Sequence, residues 1–283
     1  MQTIHDAFTL LNGVRIPAIG LGSYGIPNNA NGVELLKTAI HGGYRHIDTA
    51  AAYGNEESVG AAVRECGVPR EELFVTSKLD NADHGYERTL AAFALTMKRL
   101  GLEYLDLYLI HWPNPIAFRD RWQEANAGSW KAFEELYRAG RIRSLGLSNF
   151  HRRHIETLLT TATVQPMVNQ IRLCPGDTQD DVVAYSRSQQ MILTAYSPLG
   201  SGEILSVPQM RTLSEKYGKS IAQIAIRWSI QRGYLPIPKS ADPKRMMENL
   251  DVFNFTLDAQ DMEYLAGLTG VAGLSVDPDT TNF

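Results

Sequence analysis

Asp48, Tyr53, Lys78 and His111 have the side-chain types that proton and hydride chemistry needs, and each stands at or just past the end of a short apolar run that reads as a β-strand. Such runs alternate with helical patterns along the chain. A (β/α)₈ barrel keeps its active site at the C-terminal ends of its strands, so this placement predicts four groups converging on one mouth.

Eight runs would form that barrel: 18–21, 45–48, 74–78, 105–111, 144–148, 168–170, 192–196 and 235–238. They are short and mostly apolar, as strands buried on both faces are. Helical patterns lie between them at 33–41, 56–65, 86–100, 130–139, 152–159, 180–189, 209–217 with 222–231, and 243–252; residues 258–268 read as one more after the last strand. The fold class expected is α/β, a (β/α)₈ TIM barrel with extra C-terminal helices. Ahead of it, the segment 8–16 carries Asn12-Gly13 between apolar residues, which predicts a β-hairpin capping the bottom of the barrel.

With 283 residues, 44% hydrophobic and 20% charged, the chain can bury one large core. No low-complexity stretch or linker divides it, so a single domain over 1–283 is expected. A net charge of −4 and a pI near 6.0 give no global attraction to nucleic acid or to an anionic membrane, and any anionic ligand would need a local basic cluster. The N-terminal residues lack the basic and apolar regions of a signal peptide, and no stretch approaches the ~20 apolar residues that cross a bilayer. A cytoplasmic protein, monomeric and without nucleic-acid or membrane partners, is the expectation. Cys66 and Cys174 form no CxxC pair, and neither H-x-H nor HExxH occurs, so no disulfide and no metal site is expected.

Gly20-Leu21-Gly22-Ser23-Tyr24-Gly25 matches G-x-G-x-x-G after a strand, and Asp48 lies roughly where a Rossmann ribose-binding acid would. In that fingerprint the last glycine is already inside a helix. Here Ile26-Pro27-Asn28-Asn29 delays helical periodicity to about Val33, which favours a glycine-rich loop that lets the backbone approach a ligand.

The run from Gly43 to Gly60, Gly-Tyr-Arg-His-Ile-Asp-Thr-Ala-Ala-Ala-Tyr-Gly-Asn-Glu-Glu-Ser-Val-Gly, is more specific. With Thr76-Ser77-Lys78, Leu105–Pro113, Gly146-Leu147-Ser148-Asn149-Phe150, Val168-Asn169-Gln170, Ala195–Gly200 and Ile237-Pro238-Lys239-Ser240, it resembles the aldo-keto reductase family in order over nearly the whole chain. The short loops and the ending Val276-Asp277-Pro278-Asp279 before Phe283 look most like its group of 2,5-diketogluconate reductases and prostaglandin F synthases.

The resemblance implies a reductase that converts aldehydes or ketones to alcohols, with Asp48, Tyr53, Lys78 and His111 as the catalytic tetrad. A free phenol, with pKa about 10, is a weak acid. A nearby ammonium favours phenolate, so Lys78 is expected to lower the pKa of Tyr53 and make it a better general acid. Asp48 would hold Lys78 charged, and His111 would hydrogen-bond the carbonyl or share the proton relay. Taken singly, each has a bland reading: a rim tyrosine, a structural ion pair, a histidine satisfying a backbone carbonyl. Their order at successive strand ends favours catalysis.

The implied cofactor is NADPH/NADP⁺. Tyr196 would offer its ring to the nicotinamide, and Ser148, Asn149 and Gln170 would hold the carboxamide. Gly22 and Ser23 would lie beside the cofactor, and Ser197, Leu199 and Ser201 would line the pyrophosphate channel. Lys239, Ser240 and Arg245 resemble the 2′-phosphate site, with Glu248 and Asn249 near the adenine; Asp242 would oppose that phosphate. Tyr24, Trp112 and Phe118 would wall the pocket for a small-molecule carbonyl substrate; Arg119 and Arg121 could favour a carboxylate or sugar acid on it, although loop arginines are more often solvated. Two departures stand out. Asn169-Gln170-Ile171-Arg172-Leu173-Cys174-Pro175 has Arg172 where related chains have an acid and Cys174 where they have histidine, and Asp80 replaces a usual tryptophan. A regulatory protein that binds NADPH as a redox sensor on the same fold is the alternative reading.

Overall fold

The Asn12-Gly13 signal produces a hairpin of β1 (Ala7–Thr9) and β2 (Arg15–Pro17). Leu10 N donates to Val14 O and Gly13 N to Leu10 O, and Gly13 takes a φ of 84°, a left-handed turn position that glycine occupies at no steric cost. Leu10 and Ile16 pack on Phe74, Leu107, Val168 and Leu235, which begin their strands, so the hairpin closes the N-terminal end of the barrel.

A computed structural model describes residues 1–283. Strands β3 (Leu21–Gly22), β4 (His46–Asp48), β5 (Phe74–Leu79), β6 (Leu107–Ile110), β7 (Leu145–Ser148), β8 (Val168–Arg172), β9 (Ile192–Tyr196) and β10 (Leu235–Pro236) pair in parallel and in chain order. Gly20 N donates to Pro236 O at 3.0 Å and Gly22 N to Pro238 O at 3.1 Å, joining the first strand to the last and closing the ring. The ladder of the first strand begins at Leu21 and not at Ala18, because the residues before it belong to the hairpin: Ala18 N donates to Asp6 O.

Around the barrel lie α1 (Ala30–His41), α2 (Glu56–Glu65), α3 (Tyr86–Leu100), α4 (Trp122–Arg138), α5 (Arg152–Leu159), α6 (Asp180–Ser188), the pair α7 (Pro208–Tyr217) and α8 (Ile221–Gln231), α9 (Pro243–Leu250) and α10 (Ala259–Ala266). Asn29 caps α1 by accepting from Gly32 N, so this helix starts only after the glycine-rich loop. Helix α4 starts eight residues before the predicted Trp130. Trp122, Ala125, Asn126, Ser129, Trp130 and Phe133 are buried at helical spacing. Gly128 hides that pattern, yet it serves packing: a Cβ there would come within 3.0 Å of Tyr86 N at the start of α3. Burying each large apolar side chain of this core contributes about 1.5–3 kcal/mol. No helix is long and apolar enough to cross a membrane.

Candidate active site

Strand periodicity explains the centre of the mouth. Asp48 pairs in register with Thr76, and Lys78, two residues further along β5, points to the same interior face. Lys78 is fully buried and its ammonium donates to Asp48 Oδ1 at 2.5 Å, to Thr49 O at 2.8 Å and to the Tyr53 hydroxyl at 3.3 Å. Three acceptors engage the three donors of the ammonium, so its direction is set. Tyr53 ends a single 3₁₀ turn, Ala51–Tyr53, which Gly54 closes at φ 65°. The ring of Tyr53 meets those of Tyr24 and His111 edge-on, at centroid separations of 5.1 and 5.9 Å. His111 follows β6, and its carbonyl accepts from Asn149 Nδ2 at 3.0 Å.

The electrostatics depart from expectation in one respect. Burial pushes the Tyr53 phenol above its ordinary range, and Lys78 opposes that rise without reversing it. The expected net lowering is therefore corrected: the interior position outweighs the cation, and Tyr53 is a neutral phenol at neutral pH. For Lys78, burial pulls the pKa down but Asp48 and Tyr53 more than compensate, so the ammonium stays charged. Burial, aided by Lys78 and then His84, lowers His111 to about 3, which makes it a neutral imidazole.

Beside these four residues, the structure brings Ser148, Asn149, Gln170 and Tyr196 together. Ser148 Oγ donates to Gln170 O at 2.9 Å, Asn149 Nδ2 reaches Ser148 Oγ at 3.1 Å, and the Tyr196 hydroxyl donates to Asn149 Oδ1 at 2.8 Å. Gln170 also spends its amide on the centre, donating from Nε2 to Asp48 Oδ2 at 2.7 Å. Gly22 pairs with Lys239 across the barrel seam, and Ser23 N donates to Asp48 O at 2.9 Å. Ser197, Leu199 and Ser201 lie on or beside the turn that follows β9. Further round, Lys239 and Arg245 are exposed, while Ser240 and Asn249 are buried and Glu248 is half-buried.

The backbone of this surface, as well as its donors, has the character of a ligand site. Asn149, Ser197 and Ser201 adopt left-handed φ values of 62°, 46° and 58°. Non-glycine residues persist in that region where the surroundings hold them, and such strain clusters at ligand sites. Asp242 has a structural duty: it caps α9, with Oδ1 accepting from Lys244 N at 2.8 Å and Arg245 N at 3.4 Å.

Of the residues expected to wall the pocket, Tyr24 is exposed beside Tyr53, and Trp112 meets Phe283 edge-on at 4.9 Å. Phe118 is placed differently. It is buried and stacks on His84, with centroids 5.6 Å apart. Arg119, read as a substrate contact or a solvated loop charge, donates to the Thr281 carbonyl. The tail that carries Phe283 is anchored at Asp279, which accepts from Asn114 at 2.9 Å, Arg153 at 2.6 Å and His154 at 2.8 Å. Sequence reasoning missed both Phe283 and this anchor, because their partners lie more than a hundred residues away.

The Aldo/keto reductase family profile matches residues 18–269. Glyoxal reductase of Bacillus subtilis (strain 168) is 44% identical over 281 residues, covering 99% of each chain. MGS-M4, an aldo-keto reductase from a deep-sea metagenome library, superimposes with a TM-score of 0.91 at 40% identity, over 98% of this chain and 100% of that one. Gox0644, solved as a variant in complex with NADPH, gives a TM-score of 0.90 at 37% identity, over 98% and 99% of the two chains. The chain belongs to the aldo-keto reductase family, and is an oxidoreductase by that membership.

Proposed function

We propose that this chain, acting as one barrel domain, reduces aldehydes and ketones to alcohols with NADPH and that Tyr53 is its general acid. The observation that carries the reading is the saturated ammonium of Lys78, held by Asp48 and Thr49 with its remaining donor on the Tyr53 hydroxyl. When bound, a reduced nicotinamide supplies the hydride. Tyr196 would carry the ring, Ser148, Asn149 and Gln170 the carboxamide, the Ser197–Ser201 turn the pyrophosphate, and Lys239 with Arg245 the 2′-phosphate.

As negative charge grows on the carbonyl oxygen, the Tyr53 hydroxyl donates its proton there. The phenolate that remains faces the fixed Lys78 cation, which offsets its charge inside a buried site. Neutral His111 donates a hydrogen bond to the same oxygen and sets the angle of approach. Trp112 and Phe283, in edge-on contact, would bound the pocket with aromatic surface. The similarity to glyoxal reductase supports small dicarbonyls as the substrates to try first.

The test is loss of NADPH absorbance with a panel of aldehydes and dicarbonyls, on the parent and on Tyr53→Phe, with NADH in parallel. Activity in the parent that falls by about 10²-fold or more in the variant is expected. Bound NADPH with no turnover in either protein would replace this reading with a sensor on the same fold.

A further inference from the structure

Arg172 stands at the end of β8, in register with Tyr196 on β9, and only a tenth of its side chain is exposed. A guanidinium buried so far persists only where its donors are paired. Nη1 donates to Asp177 Oδ2 at 2.6 Å and to Gly273 O at 3.1 Å, and Nη2 donates to Ala272 O. The planar fork thus grips two successive carbonyls of the C-terminal segment while Asp177 balances its charge. A lysine would reach as a point charge without that fixed fork.

Those two residues bear on the turn after β9. Ala272 is fully buried, and a Cβ placed on Gly200 would lie 2.5 Å from Ala272 Cβ and 2.9 Å from its carbonyl oxygen. Only glycine lets the turn and the segment meet so closely. The turn is strained at Ser197 and Ser201, both at positive φ, while Gly200 and Gly202 take positive φ as glycine does freely. Its internal bonds include Gly200 N to Ser197 O and Gly202 N to Leu199 O, both at 2.9 Å. A strained turn keeps its shape when packing over-determines it, and Ala272 is the wedge that does so here. Gly270 N adds a second attachment by donating to Gly176 O at 2.8 Å, in the loop that follows β8.

We propose that Arg172 is a positioning residue for the cofactor: by clamping Ala272 and Gly273 against the Ser197–Gly202 turn, it sets how tightly and for how long NADPH is held. The inference rests on the NADPH reading above. Its physical content is pre-organisation. Without the fork, the segment leaves the turn for part of the time, and apparent affinity falls with the fraction of molecules that remain competent to bind.

The experiment measures NADPH affinity by quenching of protein fluorescence and NADPH release by stopped flow, on the parent, Arg172→Met and Arg172→Lys, with circular dichroism to establish folding. In Arg172→Met the Kd and the KM for NADPH rise about tenfold and release speeds up, as expected when the competent fraction falls to about a tenth, whereas kcat at saturating NADPH falls less than about twofold. Arg172→Lys, which keeps the charge beside Asp177, lies between the two and carries the test if the methionine variant fails to fold. Folded variants that bind and release NADPH as the parent does, losing only thermal stability, would overturn the proposal and leave Arg172 a structural residue. A parent that does not bind NADPH would overturn the functional reading itself, which separates the two failures.

Discussion

Gln170 and Asp48, 122 residues apart in the chain, are joined by a 2.7 Å hydrogen bond from the Gln170 amide to Oδ2, while Oδ1 of the same carboxylate holds Lys78. Both oxygens of Asp48 are therefore committed inside the barrel. The carboxylate that holds Lys78 is itself held by a residue expected to face the cofactor, so a cofactor contact through Gln170 would share one hydrogen-bonded network with Lys78.

Replacing Asp48 by asparagine leaves a buried ammonium without its anion. Removing one partner of a buried pair costs about 3–5 kcal/mol, and the reduction rate falls with it because Lys78 no longer holds its place beside Tyr53. Urea unfolding and initial rates measured on the same preparation check both effects. A variant that keeps parental stability would show that the pair contributes little.

Because Tyr53 is held above its ordinary range and His111 stays neutral down to about 3, neither loses its working form near neutrality. Carbonyl reduction at saturating NADPH is therefore expected to stay level from about pH 7 to 9 and to fall only as the phenol ionises beyond that range. Alcohol oxidation, which uses the phenolate as base, rises over the same interval. A limb near pH 6.5 in the reduction profile would mean that His111 titrates in the working range.

Three buried histidines, His46, His84 and His154, and the half-buried His111 make folding sensitive to acid. Burial lowers His46 and His111 to about 3 and His84 and His154 to about 4, against 6.5 for the free side chain. Between those values the unfolded chain binds protons that the folded chain refuses. Stability is thus full above pH 6.5 and declines as pH falls toward 4, by up to about 1.4 kcal/mol per pH unit for each histidine. Thermal melts of the parent and of His84→Gln across this interval test the sign and the share. Replacing the buried His84 should flatten the slope by about one histidine's worth.

Asp242 places a carboxylate three residues from Arg245, 4.0 Å from its guanidinium, while capping α9. Threonine retains the capping oxygen and removes the charge. Asp242→Thr should lower the KM for NADPH several-fold, in line with the weakening of one exposed charge contact of about 1 kcal/mol or less, with the KM for NADH unchanged. An unchanged KM for NADPH would mean that the acid does not oppose the 2′-phosphate.

The eight strands and the four converging residues were legible because both depend on local pattern: short apolar runs, one polar group at each end, and punctuation by glycine and proline. The hairpin was legible for the same reason, since Asn12-Gly13 demands a turn wherever it stands. Helix α4 was half legible, because Gly128 and Ser129 look like loop residues until the close approach of Tyr86 gives the glycine its purpose. Phe118 was assigned to the pocket from the company it keeps in sequence, yet its ring stacks on His84, from the connection between β5 and α3.

By itself the sequence determined the barrel, its family and the types of group at its mouth, because hydrophobic period and residue chemistry are properties of neighbouring positions. Only the tertiary structure decided that Gln170 grips Asp48, that Phe283 returns to Trp112, that Arg172 clamps the tail, and that burial outweighs Lys78 at Tyr53. Those outcomes depend on distances and on desolvation between segments far apart in the chain, and neither quantity exists until the barrel has closed.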